Sequence, residues 1–140
     1  MDPGPVPKEG VPVHAYALSR TVPRPFDAAL DLTREALAAE GFGVPTEMDT
    51  QAIFRARLGQ ESERRVILGA CLPAVAFEAM RAEPELAVLL PCNVVVREVP
   101  GGSEVTVVKP TRLFTLTARV DPAHAEAVEA RLRAVLERLP

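Results

Sequence analysis

Residues 90–109 read LPCNVVVREVPGGSEVTVVK. β-Branched residues crowd both halves and a Gly-Gly pair divides them. The stretch therefore predicts a strand over 90–99, a turn at Gly101–Gly102 and an antiparallel return over 103–109. Working back along the chain, RRVILGAC (64–71) is a second compact apolar run and predicts a buried strand. Pro73 then opens a helix, because its fixed φ suits the first turn and its missing N–H is one that no helix pairs. That helix continues through AVAFEAMRAE and stops before Pro84.

Further out the signals are shorter. HAYALSRTV (14–22) and VPTEM (44–48) predict two more strands. Between them Phe26, Leu30, Thr33 and Leu37 recur at helical spacing, and Gly41 supplies the C-terminal stop. At the other end Asp121 caps and Pro122 opens a long helix with Ala125, Val128, Leu132, Val135 and Leu139 as its apolar stripe. Glu129 and Arg133 are spaced as a surface pair on it. DTQAIFRARLG (49–59) reads two ways. Its alternation suits a strand, whereas Asp49 as N-cap, Arg55 and Arg57 in the last turn and Gly59 as terminator favour a short helix, the reading adopted. The sum is an α+β fold: a mostly antiparallel sheet of about five strands with helices packed on one face. Residues 1–13, with four prolines and two glycines, read as a flexible tail, and 14–140 as a single domain.

Composition narrows the function classes. With 16 basic and 19 acidic residues in 140, the net charge of −3 lacks the concentrated basic face that nucleic-acid binding requires. No apolar run approaches the roughly 20 residues of a membrane span. The start MDPGPVPKEG has no apolar core behind a basic flank, so it is not a secretory signal. Two cysteines make no disulfide framework, and a reducing, cytoplasmic setting is the expectation.

Several separate motifs then occur in a telling order: ILGAC-x-P (67–73), a helix, EPE (83–85) and LLPCNVVVRE (89–98), preceded by FDAAL (26–30), LAAEGFGV (37–44) and TEMDTQA…LG (46–59). From about Tyr16 to Leu139 the chain resembles the bacterial and archaeal family known as domain of unknown function 302. The resemblance implies a TATA-binding-protein-like β-α-β4-α arrangement with inserted helices, and a homodimer. It implies no activity and no cofactor.

Both thiols, Cys71 and Cys92, fall next to prolines at the predicted strand ends, which raises the question of a site. A zinc centre needs about four N or S ligands. Two thiols without a CxxC pair, and His14 and His124 near opposite chain ends, do not supply one, so no metal is expected. Three readings of the thiols stay open. They are small buried residues closing strands; or Cys71, two residues before a helix start, is a reactive thiolate; or the two strands lie side by side and the thiols form a redox pair, which needs Cα atoms about 5.5 Å apart. The carboxylates Glu47 and Asp49 form a second candidate, either for acid–base work or as solvated and capping groups. Asn93 offers an amide beside Cys92. The expectation is a ligand pocket bounded by Cys71, Pro73, Cys92, Asn93, Glu47 and Asp49, holding a small molecule. The alternative is a thiol-dependent enzyme or redox protein using Cys71 and Cys92.

Overall fold

Alternation decides the sheet. In the computed structural model, which describes residues 13–140, every second residue of Gly102–Val108 is buried (Ser103, Val105, Val107), and Cys92, Val94 and Val96 follow the same rule in Cys92–Val99. Successive side chains of a strand leave opposite faces, so such a pattern buries one face only. The strands are β1 (Ala17–Val22), β2 (Gly43–Asp49), β3 (Arg65–Cys71), β4 (Cys92–Val99) and β5 (Gly102–Val108), in the order β1-β5-β4-β3-β2, with every neighbouring pair antiparallel. The helices are α1 (Phe26–Ala39), α2 (Thr50–Leu58), α3 (Pro73–Ala82), α4 (Pro110–Leu113) and α5 (Pro122–Arg138). With α2, α3 and α4 treated as insertions, the order is β-α-β4-α, the implied plan. The flexible tail read for 1–13 lies, apart from Val13, outside the described residues.

The buried face receives α1 and α5. From α1 come Phe26, Ala29, Thr33, Ala36 and Leu37; from α5 come Val128, Leu132, Val135 and Leu136, all packed against Val66, Leu68, Val94, Val96, Val105 and Val107. Thr33 is wholly buried at no polar cost, because its hydroxyl donates to the Ala29 carbonyl at 2.7 Å. The connection from β1 to β2 runs from one sheet edge to the other, and α1 makes that crossing over the core.

Two readings need correcting. The first strand begins at Ala17, since Val13–Ala15 form a 3-10 turn. The hairpin turn is Pro100–Gly101, not Gly101–Gly102. Gly101 alone takes the left-handed φ of 83°, while Gly102 pairs with Val99 as the first residue of β5. Glu129 pairs with Arg133 as the helical spacing predicts, and it has a second, inward role. Its side chain is largely covered and accepts from Thr111 N (3.2 Å) and Oγ1 (2.6 Å), which ties the start of α4 to α5, with Arg133 at 3.7 Å. The ambiguous stretch is helical, as its caps argue. Asp49 accepts from Ala52 N at 3.0 Å and Gly59 takes φ 63°, though only Thr50 of α2 is buried. Pro84–Leu89 and Phe114–Leu116, assigned to no element by sequence, are 3-10 segments.

Candidate functional site

The end of the sheet where β3 stops and β4 starts is the place where both thiols fall. β3 gives out at Cys71, Leu72 takes the N-cap of α3, and Pro73 is its first residue. The chain returns through the 3-10 segment Pro84–Leu89 and re-enters the sheet at Cys92, which lies directly opposite Ala70. The segments 73–91 and 110–121 together build a small lobe. It has its own core of Ala79, Leu86, Phe114 and Val120, joined by Ala125 of α5.

Between this second core and the main one lies a cleft of about 280 Å³. Its floor is the sheet end (Ala70, Cys71, Cys92), with Phe42 and Thr46 on the β2 side; α3 adds Val75, Ala76 and Met80; Leu86 and Phe114 of the lobe and Val128 of α5 close it. Among the described residues no charged side chain lines it. Thr46 and the two thiols are its only polar side chains. Gly69 belongs to its architecture, because a Cβ there would overlap Thr46 Oγ1 and the Pro91 ring, both part of the cleft wall.

The six residues expected to form a pocket separate here. Cys71 and Cys92 line the cleft; Pro73, Asn93, Glu47 and Asp49 do not. Pro73 is exposed on the first turn of α3. Asn93 pairs with Gly69 and, one residue from Cys92, projects from the sheet's other face. Glu47 accepts from Arg34 of α1, and Asp49 caps α2. Both acids are thus engaged in holding the edge strand β2. The liners Phe42, Ala76, Met80 and Phe114 carry no sequence signal apart from apolar character.

Both thiols are free. The strands carrying them are neighbours, as the redox reading requires, but the register pairs Cys92 with Ala70 and leaves Cys71 on the diagonal. Cys92 is 4% exposed, and burial first, then the neighbouring Cys71 charge, push its thiol up from 9.0 to about 11. It is therefore protonated near neutrality and a poor nucleophile. Among the described residues no group of three or more His, Cys, Asp or Glu side chains is placed to hold a metal ion.

The raised thiol has a measurable consequence. Above about pH 9 the unfolded chain loses this proton while the folded chain keeps it until about pH 11. The unfolded state then binds fewer protons, so stability falls as pH rises across that window and is unaffected below it. The loss approaches about 2–3 kcal/mol at the top of the window. Urea unfolding at several pH values should show this slope in the wild type and its removal in Cys92→Val. Equal slopes would mean that the thiol is not held in its neutral form by burial.

Sheet, two backing helices and an inserted lobe over an apolar cleft define an α+β domain of the β-α-β4-α plan. The chain belongs to the family Domain of unknown function DUF302, whose profile matches residues 18–139. It is similar to the crystal structure of an uncharacterized conserved protein DUF302 from Bacillus stearothermophilus. The two share 28% identity over 89% of this chain and 98% of that one, with a TM-score of 0.78. No curated protein matches the sequence. No helix among the described residues is long and apolar enough to cross a membrane.

Proposed function

We propose that the domain is a small-ligand-binding module whose ligand is uncharged and largely apolar and sits in the cleft beside Cys71 and Cys92. The observation that carries this reading is the lining. A cleft of about 280 Å³, walled by aliphatic and aromatic side chains and one hydroxyl, offers a charged molecule no compensation for lost hydration. An apolar ligand gains about 25 cal/mol for each Å² of apolar surface removed from water. Its size stands near the lower end of ligand pockets, about 300–1,000 Å³, which favours a compact molecule. The reading includes a homodimer in a reducing cytoplasm, in keeping with the family resemblance and the free thiols. Sedimentation equilibrium tests the dimer, and a monomer at all concentrations would remove that part.

The neutral dye N-phenyl-1-naphthylamine, which fluoresces in apolar surroundings, is a suitable probe. The wild type should bind it saturably, and Ala76→Phe, which fills the cleft from α3, should weaken binding at least about tenfold without lowering the melting temperature. Undiminished binding to the variant, or none to the wild type, would overturn the apolar-ligand reading.

A thiol-dependent enzyme or redox protein is the second reading. It draws on Cys71, half-buried in the cleft wall and two residues before the first turn of α3. It is the weaker one, because Cys92 as resolving partner would have to act from a buried, protonated state on the diagonal of the sheet register.

A further inference from the structure

The lobe over the cleft is built from two stretches of chain that meet nowhere in the sheet. One, 73–91, is inserted between β3 and β4; the other, 110–121, lies between β5 and α5. The cleft has walls from both, Ala76, Met80 and Leu86 on one side and Phe114 on the other. What holds the two halves together therefore bears on how freely the cleft is entered.

Their apolar contact is a small core of five buried residues, Ala79, Leu86, Phe114, Val120 and Ala125, with Leu89, Leu90 and Leu113 packed on it, against nineteen buried residues in the main core. Their polar contact is a single side chain. Glu83, the residue that ends α3, accepts through one carboxylate oxygen, Oε1, from the backbone N–H of Ala118 at 2.8 Å and of Arg119 at 2.7 Å. Among the described residues these are the only hydrogen bonds joining 73–91 to 110–121. Both are short and have an ionisable acceptor, the stronger kind of protein hydrogen bond. They are also exposed, so water stands ready to replace them. A contact that is strong when made, replaceable by solvent, and the one hydrogen-bonded link between two halves that otherwise meet through a small apolar core has the properties of a latch.

We propose that Glu83 is the latch of the cleft: its carboxylate clips the loop 117–119 to the end of α3, and release of these two hydrogen bonds lets the halves of the lobe part and admits molecules to the cleft. The main sheet and its two helices do not move in this step, since their core is continuous without the lobe. The latch concerns access to the cleft and does not depend on the identity of the ligand proposed above.

Cys92 reports on the cleft from within, being buried and part of its floor. In a Cys71→Ser background, so that only one thiol reacts, alkylation of Cys92 by N-ethylmaleimide at fixed pH measures access, and backbone hydrogen exchange measures which segment opens. Glu83→Ala should speed the alkylation about tenfold and raise exchange in 110–121, with exchange of the central strand amides Val94–Val96 unchanged. Glu83→Gln keeps an oxygen that accepts both N–H groups and should stay close to the unaltered protein. Unchanged alkylation in Glu83→Ala would overturn the gate. A parallel rise in exchange at Val94–Val96 would overturn it too, because access would then follow global unfolding. Neither measurement contains the dye, so a failure of dye binding counts against the apolar ligand alone and a failure here counts against the latch alone.

Discussion

Gly102→Ala should destabilise the protein by about 3 kcal/mol, an effect at the upper end for an added methyl group. A Cβ at this position would meet the carbonyl oxygen of Val22 well inside contact distance, with Pro23 Cα and Val22 C both at 3.2 Å. These are backbone atoms of the last residue of β1 and the residue after it. They cannot rotate aside as a side chain would, and moving them disturbs the Val22–Ser103 pairing at the edge of the sheet. It also threatens the Ser103 hydroxyl, which donates to the Arg24 carbonyl at 2.9 Å. Gly101→Ala is the informative companion. No atom lies within 4 Å of its Cβ position, and its cost comes from the φ of 83° alone, about 1 kcal/mol. Urea unfolding of both variants should rank them in that order. The reverse order would mean that the turn, rather than the close approach of β5 to the end of β1, is what the two glycines serve.

The second large effect is expected at Leu132. This side chain is wholly buried where α5 meets β5, β1 and α1, in the same core as Val105 and Val107 of β5 and Leu37 of α1. Leu132→Ala removes apolar atoms and leaves a void that rigid strands cannot collapse to fill, so the cost should be about 3–4 kcal/mol. Val88→Ala makes a smaller truncation at a side chain 85% exposed, and should change stability by less than about 0.5 kcal/mol. A mild effect at Leu132 would mean that α5 can shift on the sheet to close the void, and the tight backing of β5 and β1 by α5 would have to be abandoned.

The particular elements show how far local signals reach. Caps were decisive for α2, where alternation pointed to a strand but Asp49 and Gly59 satisfied the helix ends. The stripe Ala125, Val128, Leu132, Val135 and Leu139 is buried at every position, because a helix of this length presents one face to whatever layer it meets. Glu47 and Asp49 went the other way. Two carboxylates two residues apart look like chemistry in sequence, yet Arg34, distant along the chain, claims the first and the start of α2 claims the second. Glu83 was legible as the residue that ends a helix and, with Glu85, as one more close carboxylate pair. That its carboxylate bridges to residues 118 and 119 is a long-range contact without a local sign.

The chain's own order of residues was sufficient for the succession of strands and helices and the ends of the longer helices, while the β-α-β4-α plan was what the family resemblance implied. Periodicity, capping and proline placement act over a few neighbouring residues, and their energetics hardly depend on the rest of the molecule. The cleft belongs to the tertiary structure alone. Phe42, Ala76, Phe114 and Val128 come from four separate segments, and the hydrophobic effect that buries them is non-directional, so an apolar residue reads the same whether it fills a core or walls a cavity. The register of β3 on β4, which set Cys92 opposite Ala70 and left Cys71 on the diagonal, was likewise decided by the packing of whole strands.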